Sequence, residues 1–160
     1  MVQTMDRDSF IALLNEDLQT EYQSVVQYVQ HTSLITGPEY LSTVDELKVH
    51  LGQEVQHALI LAEQIAFLGG TPSSTVAEVP AWTDSKAALE TDLQLEKSQL
   101  DRYRERSAQA DELGLADVAE ALRPVLEQTQ EHVRDLQGAL GRRGTRTAVP
   151  VSAEEQTDCP

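Results

Sequence analysis

The chain has 160 residues, of which 27 are acidic and 12 are basic, and its formal net charge is −15. Such a charge disfavours direct binding to nucleic acid or to an anionic membrane, and it favours cations as partners. Hydrophobic residues make up 40% of the sequence but aromatic residues only 4%, so we expect one domain whose core is filled by Leu, Val and Ala.

Long stretches of helical periodicity, separated by glycine and proline, predict four helices. The first covers about residues 8–36, with Asp8 or Ser9 as its N-cap, and ends at a Gly-Pro pair. The second covers about residues 41–68 and ends at two glycines. The segment TPSSTVAEVPAW follows, and its proline, serine and threonine content predicts a long crossover connection.

The second half of the chain repeats this arrangement. The third predicted helix covers about residues 84–113, with Asp84 or Ser85 as its N-cap. The fourth covers about residues 116–140 and contains Pro124, which predicts a kink or a local break. The predicted fold class is therefore all-α, a four-helix bundle made of two antiparallel helix hairpins joined by one long crossover.

The bundle is expected to occupy residues 1–140, and the polar tail 141–160, which lacks apolar periodicity, is expected to be disordered. The single cysteine, Cys159, excludes an internal disulfide framework and a Cys-x-x-Cys metal site. The N-terminus lacks the apolar run of a signal peptide, and no stretch reaches about 18 apolar residues. We therefore expect a cytoplasmic protein.

Acidic and histidine residues of the two halves correspond at a fixed offset of 75 positions. The corresponding residues are Glu21 and Glu96, His57 and His132, and, as an imperfect third pair, Glu54 and Thr129. Duplicated carboxylates and histidines at matched helical positions are how a four-helix bundle builds a two-metal site. The sequence therefore predicts a two-metal site from which one carboxylate is missing.

The repeated glutamates and histidines lie within the apolar stripes of their helices, three or four residues from leucines and valines. Burying an ionised carboxylate costs several kcal/mol unless it is paired or binds a metal. No Lys or Arg lies on the same stripes, so a cation is the natural partner. Carboxylate oxygens with imidazole suit iron or manganese, and zinc is possible. One such residue alone is better explained by core packing, but five at matched spacings favour a metal site.

Four segments of the chain resemble the ferritin-like proteins, most closely their bacterioferritin branch. They are LNEDLQTEYQSVVQYVQH, GQEVQHALILAEQIAFLGGTP, LETDLQLEKSQLDRY and PVLEQTQEHVRDL, and the resemblance covers roughly residues 8–140. It implies a di-iron centre that oxidises Fe(II) with oxygen or peroxide, followed by storage of an Fe(III) mineral.

The same resemblance assigns a role to each candidate ligand. It implies that Glu21 and His57 hold one iron ion. Glu96 and His132 would hold the other ion, and Glu54 would bridge the two.

Two further kinds of residue are candidates near this centre. The resemblance places Tyr28 beside it, which makes Tyr28 the candidate catalytic residue. For Tyr28 and Tyr103 alike, the alternative is core packing with the hydroxyl bonded to a glutamate. His50, one turn before Glu54, faces the ligand side and could line an access path for metal, although a histidine on the helix surface is the simpler interpretation.

Three features depart from the family pattern. Thr129 stands where the family has a second bridging glutamate, so three carboxylates supply about −3 against the +4 of two Fe(II) ions. The amide oxygen of Gln128, water, hydroxide or an added carboxylate could act instead, and we expect a weak or asymmetric site. Val55 stands where haem-binding bacterioferritins have methionine, so no haem is expected. No fifth helix is predicted, whereas the 24-subunit cages of the family have one. A closed shell is therefore not required, and we expect a homo-oligomer that is at least a dimer.

Other functions remain open. A ferritin-fold protein with a degenerate site, acting as a structural or binding subunit, is the main alternative, and Thr129 favours it. A di-iron oxygenase acting on an organic substrate would need an access pocket. A rubrerythrin-type peroxidase would need a four-cysteine iron domain that one cysteine cannot build. A Dps-type cage fits less well, because its site lies between subunits, whereas the candidate ligands here come from all four helices of one chain.

Overall fold

The computed structural model describes residues 5–142 and contains four long α-helices. They are α1 (Arg7–Leu34), α2 (Leu41–Phe67), α3 (Ser85–Glu112) and α4 (Ala116–Ala139), and a 3₁₀ turn at Pro38–Tyr40 precedes α2. No strand occurs among the described residues. The prediction of an all-α chain with four helices is confirmed.

The helix ends show where local sequence signals were misread. The N-cap of α1 is Asp6, whose carboxylate accepts a hydrogen bond from the Ser9 backbone N–H at 2.7 Å, so the choice of Asp8 or Ser9 was wrong. Asp84 caps α3 in the same way, accepting from the Ala87 N–H at 2.8 Å. The helix α4 continues through Pro124, so the predicted local break does not occur. Proline removes one backbone donor, but the packing of the helix on both sides of it holds the helical path.

The crossover between α2 and α3 runs along the outside of α1. Its Thr71 carbonyl and Ser73 N–H bond the side chain of Asn15 at 3.2 and 2.7 Å, and the Ala77 N–H bonds the carbonyl of Gln19 at 3.1 Å. Farther along, the Trp82 indole N–H donates to the Gln30 side chain at 3.1 Å. The connection therefore spans most of the length of α1, and α3 starts where α1 ends.

This path sets the directions of the helices. Because the crossover brings the start of α3 beside the end of α1, α1 and α3 run antiparallel. Within each hairpin the second helix reverses direction, so α2 and α4 are antiparallel as well. The Thr36 N–H, just after α1, donates to the Ser85 hydroxyl at the start of α3 at 3.0 Å. The predicted arrangement of two antiparallel hairpins joined by a long crossover is confirmed.

The hydrophobic core consists of two apolar clusters at opposite ends of the bundle. One contains the start of α1 and the end of α2, including Phe10, Leu14 and Ile65. The other contains the end of α1 and the start of α3, including Ile35 and Leu89. Between them the interior is polar, so the middle of the bundle is a charged layer enclosed by hydrocarbon.

None of the helices in the described part of the chain is long and apolar enough to cross a membrane. Most of the tail predicted to be disordered, from residue 143 onward, lies outside the described residues, and the prediction about it stays a prediction.

Candidate metal centre

The five predicted ligands meet in the polar middle layer, and each is at most 1% exposed. Their ligand atoms form two groups, within each of which all atoms lie within 4.8 Å of one another. Glu21, Glu54 and His57 form the first group, and Glu54, Glu96 and His132 form the second. Glu54 belongs to both groups, as a bridging carboxylate must.

The two oxygens of Glu54 face different histidines. Its Oε1 lies 2.8 Å from Nδ1 of His132, and its Oε2 lies 3.6 Å from Nδ1 of His57. Glu21 Oε2 is 3.7 Å from His57 Nδ1, and Glu96 Oε1 is 3.3 Å from His132 Nδ1. Nitrogen and oxygen atoms bound at about 2.0–2.2 Å to one cation stand roughly 3.0–3.5 Å apart. The distances between these ligand atoms are therefore close to those expected around two ions that share one carboxylate.

Each histidine is oriented by a glutamine on the helix that it faces. Nε2 of His57 donates to Oε1 of Gln128 at 2.8 Å, and Nε2 of His132 donates to Oε1 of Gln53 at 2.7 Å. A proton held on Nε2 leaves the lone pair of the neutral ring on Nδ1, which points at the carboxylates. The suggestion that Gln128 replaces the missing carboxylate ligand is therefore wrong, because its oxygen is bonded to the far side of the His57 ring.

The tyrosine hydroxyls bond to Glu21 and Glu96, the two carboxylates that each belong to one ligand group only. Tyr28 donates to Glu96 Oε1 at 2.5 Å, and Tyr103 donates to Glu21 Oε1. Burial, followed by the charge of the bonded glutamate, raises the pKa of both tyrosines. The expected hydroxyl–glutamate contacts are present, and both phenols stay protonated donors at neutral pH.

Several buried atoms of this layer have no partner in hydrogen-bond geometry within residues 5–142, although all but one of them lie in the histidine–carboxylate contacts of 2.8–3.7 Å described above. These atoms are Glu21 Oε2, both carboxylate oxygens of Glu54, His57 Nδ1, Glu96 Oε2 and His132 Nδ1. Unpaired buried polar atoms are costly and rare in folded proteins, and here all six are potential ligands that point into the same space. The donor set, three carboxylates with two imidazoles, therefore fits a pair of first-row transition cations such as iron.

Thr129, at the position where the repeat predicts a fourth carboxylate, is buried but turned away from this space. Its hydroxyl donates to the Val125 carbonyl of its own helix at 2.7 Å. The side chain thus satisfies its hydrogen-bonding capacity locally. It leaves Glu54 as the one carboxylate shared by the two ligand groups.

Protons partly balance the charges of the layer in the metal-free protein. Burial alone lowers the pKa of a histidine, but the contacts with Glu21 and Glu54 outweigh it and raise the pKa of His57 to about 11. Contacts with Glu54 and Glu96 likewise raise the pKa of His132 to about 9 against the effect of burial. Burial and the charge of Glu54 raise the pKa of Glu21 to about 8. The metal-free layer therefore holds protons that a bound cation must displace.

His50 is a buried residue rather than a surface histidine, with 2% exposure. Its ring stacks on that of His132, with centroids 4.0 Å apart and planes at 25°. Burial and the charge of His132 lower the pKa of His50 to about 4, so the ring is neutral at neutral pH. The sequence had indicated the direction in which His50 points but not its burial.

Two buried aspartates, which the sequence reasoning missed, lie one turn before Glu21 and Glu96. Asp17 and Asp92 are at most 2% exposed, and each accepts two side-chain hydrogen bonds from the neighbouring antiparallel helix. The donors are Arg102 Nε (2.7 Å) and Arg106 Nε (2.8 Å) to Asp17, and Gln27 Nε2 (2.7 Å) and His31 Nδ1 (2.9 Å) to Asp92. The offset of 75 that relates the ligands also relates these aspartates, so the same test would have found them.

Comparison with known proteins gives a consistent result. Residues 11–143 match the family of ferritin-like domains. Proteins described as bacterial ferritin, from Neisseria meningitidis serogroup B and Neisseria gonorrhoeae, are 34% identical over 83 residues. That match covers 52% of this chain and 54% of the relatives, so the chain spans about half the length of the curated relatives it matches.

Solved structures with the same fold cover more of the chain. A structure described as ferritin-like, diiron-carboxylate proteins from Bacillus anthracis is 28% identical, with a TM-score of 0.80, and the match covers 88% of this chain and 99% of that one. A bacterioferritin-related protein from Bacteroides fragilis, described as a dodecameric thioferritin, shares the fold. It is 24% identical, with a TM-score of 0.76, and the match covers 86% of this chain and 88% of that one.

Proposed function

The chain belongs to the ferritin-like family, and from this premise we propose that it binds two iron ions in the middle of the bundle and oxidises Fe(II). The observation that carries the proposal is the convergence of six buried ligand atoms that lack a partner in hydrogen-bond geometry, enclosed between two apolar clusters and contributed by all four helices. The diiron-carboxylate description of the Bacillus anthracis relatives supports iron over manganese or zinc.

The protein residues have separable tasks in this function. Glu21 and His57 hold one Fe(II) substrate ion, Glu96 and His132 hold the other, and Glu54 bridges the two. Bound in this way, two Fe(II) ions can each give an electron to oxygen or peroxide. The tyrosine hydroxyls and the glutamines Gln53 and Gln128 hold the carboxylates and imidazoles in place before metal arrives.

For Tyr28, the candidate catalytic residue, we propose the role of a hydrogen-bond donor to Glu96 during the reaction; the 2.5 Å contact between the two supports it. Its phenol is fully buried, and its raised pKa keeps the proton on the hydroxyl. The matched tyrosine, Tyr103, makes the same contact with Glu21. The two phenols therefore serve the two ions in the same way.

The site is expected to be asymmetric because it has one bridging carboxylate. Three carboxylates neutralise about three of the four charges of two Fe(II) ions, and the Thr129 hydroxyl is bonded to its own helix. The second ion should therefore bind more weakly than the first. The two ions would also depend on water, hydroxide or an added anion for the remaining bridge.

A second function is favoured by the same residue. If Thr129 marks a site no longer used, the chain would be a structural or binding subunit that keeps the fold without iron chemistry. The intact hydrogen bonds around both histidines weigh against this interpretation, because unused ligands have no need of oriented rings.

We also propose that the protein is a homo-oligomer, at least a dimer. The side chains of Val26 and Val29 on α1 and of Val55 and Leu59 on α2 are about half exposed, and contact with a second subunit would remove their apolar surface from water. The dodecamer described for the Bacteroides fragilis relative supports an assembly. A cytoplasmic location and the absence of haem remain predictions from the sequence.

The test is an anaerobic Fe(II) titration of metal-free protein, followed by admission of air, on the wild type and on Thr129→Glu in parallel. We expect two ions at the inner centre of both proteins, the second of them weaker in the wild type, and oxidation after air in both. Binding of fewer ions by the wild type than by Thr129→Glu would identify a weakened centre. Absence of iron binding in both proteins would leave the structural function.

A further inference from the structure

A second cluster of possible metal ligands lies outside the centre described above. It consists of Glu46 and His50 on α2 and Asp135 on α4, and their ligand atoms lie within 4.8 Å of one another. Nε2 of His50 is 3.2 Å from Asp135 Oδ2 and 3.7 Å from Glu46 Oε1. Ligands of one first-row cation, bound at about 2.0–2.2 Å, stand roughly 3.0–3.5 Å apart. One imidazole and two carboxylates therefore converge with nearly the spacing of a cation site.

The cluster forms the inner wall of a pocket that opens to solvent. The pocket has a volume of about 570 Å³ and lies between the start of α2 and the end of α4. The carboxylates of Glu46 and Asp135 are 52% and 47% exposed, whereas His50 is 2% exposed. Of the described residues, Arg134 is the one arginine or lysine that lines the pocket, and its guanidinium nitrogen lies 3.8 Å from Oε1 of Glu131 rather than against the cluster. A hydrated cation can therefore reach the two carboxylates and meet a buried imidazole behind them.

His50 connects this pocket to the inner centre. Its Nε2 points to the pocket, and the face of its ring stacks on His132 at a centroid distance of 4.0 Å. His132 in turn presents Nδ1 to Glu54 and Glu96. One imidazole stack thus separates an open pocket from the ligand group that contains Glu96.

The other half of the chain has no counterpart of this cluster. The positions that correspond to Glu46, His50 and Asp135 at the offset of 75 are Ala121, Val125 and Ile60. These side chains are apolar, and Val125 belongs to one of the apolar core clusters. The internal repeat therefore does not reproduce this imidazole–carboxylate cluster at the matching positions.

We propose that Glu46, His50 and Asp135 form an outer site for a divalent first-row transition cation, from which the cation passes to the inner centre beside His132. The outer site stands on its own geometry, whereas the transfer rests on the proposed function of the inner centre. Transfer needs no redox step: the cation exchanges the outer carboxylates for Glu96 and Glu54 and keeps its charge of +2.

The first experiment counts bound Zn²⁺, which is redox-inert, by calorimetric titration of the metal-free full-length chain. We compare the wild type with Glu46→Gln/Asp135→Asn and with Glu21→Gln/Glu96→Gln. The matched control is Asp101→Asn/Glu120→Gln, which removes the same two charges from exposed positions on α3 and α4. We expect three ions per chain in the wild type and the control, and two in the outer double variant.

The outcomes separate the two proposals. If the wild type and the outer variant bind the same number of ions, Glu46, His50 and Asp135 form only a hydrogen-bonded cluster and the outer site is wrong. If the wild type binds one ion, which the outer variant loses and the inner variant keeps, the outer site holds and the proposed inner centre fails. A loss of one ion in the control as well would reveal nonspecific binding to the acidic surface and would overturn the outer site.

Transfer is tested by the rate of Fe(II) oxidation after rapid mixing of metal-free protein with Fe(II) in aerated buffer. The outer double variant should fill the inner centre about tenfold more slowly, the lower end of the effect that converging charges have on association rates. Its final amount of oxidised iron should match the wild type, and the control should keep the wild-type rate. An unchanged rate in the outer variant would refute the transfer.

Discussion

The two halves of the bundle, α1–α2 and α3–α4, share two kinds of contact around the candidate ligands but differ at the position of the bridging carboxylate. The contacts between each tyrosine and a glutamate, and between each histidine and a glutamine, recur when every residue number is shifted by 75. The bridging pair, Glu54 and Thr129, does not recur.

In the proposed centre the difference follows from how many ions each residue would serve. A histidine or terminal glutamate would serve one ion, so its loss would remove one binding position. A bridging carboxylate would serve both ions at once, and the two oxygens of Glu54 face both histidines. One bridge is therefore enough to join the ligand groups, although it leaves them short of negative charge.

The largest difference in stability between the halves is expected at the buried aspartates. Asp17→Asn should lower the free energy of unfolding by about 3–5 kcal/mol, because it removes the buried carboxylate 2.8 Å from the buried Arg106 and leaves only the exposed Glu105, 3.8 Å away, as a negative partner. Asp92→Asn should lower the free energy of unfolding less, by about 1.5–3 kcal/mol. It weakens hydrogen bonds from Gln27 and His31, but no buried arginine loses its ion pair. Urea unfolding followed by circular dichroism measures both values. Equal costs would mean that the arginines can reorient toward water.

The bridging pair should show the next largest contrast. Glu54→Gln should weaken binding of both ions by about 100-fold or more. This exceeds the roughly 10–100-fold loss of metal affinity that follows removal of a residue hydrogen-bonded to a ligand. Thr129→Val should change the affinity little, because the lost hydroxyl is bonded to the Val125 carbonyl. Anaerobic Fe(II) titrations of the two variants make the comparison. A large loss of iron in Thr129→Val would show that the hydroxyl is a ligand.

The protonated histidines predict a strong pH dependence of metal binding. With pKa values raised to about 11 and 9, His57 and His132 carry protons at pH 7 that bound metal must displace. The affinity should therefore rise with pH by about tenfold per unit for each proton released, and fall as the pH is lowered. Chelator competition with Zn²⁺ between pH 6 and 8, with proton release measured in unbuffered solution, gives the slope. An affinity independent of pH would contradict the raised pKa values.

The smallest expected effects test whether the histidine–glutamine hydrogen bonds of the two halves contribute equally to metal binding. Gln53→Ala and Gln128→Ala each remove the acceptor of one histidine Nε2–H. Each should lower the affinity for one ion by about tenfold. Zn²⁺ calorimetry resolves the two ions if their affinities differ. A variant that weakens both ions equally would indicate that the rings are coupled rather than independently held.

Much of the fold and the ligand set could be read from the residues. Glu21, Glu54 and His57 lie three or four positions from leucines or alanines on amphipathic stretches, so their inward direction is a local property of the helix. The capping residue Asp6 was missed because three acidic or hydroxyl residues compete within four positions, and only the backbone path selects one of them.

Contacts between helices could be predicted only in part. The glutamine and aspartate contacts obey the offset of 75 and were within reach of the sequence. The stack of His50 on His132 and the approach of Asp135 to His50 have no counterpart in the other half, so no internal comparison signals them.

The order of residues alone determines four amphipathic helices and the inward faces that carry three carboxylates and two imidazoles, because helical periodicity acts over a few residues. The tertiary structure decides which nitrogen of each histidine faces the carboxylates, where Gln128 and Thr129 direct their polar atoms, and which end of the bundle opens to a pocket. These features depend on how α2 and α4 pack antiparallel, and residues about 80 positions apart meet only when the crossover has brought the second hairpin against the first.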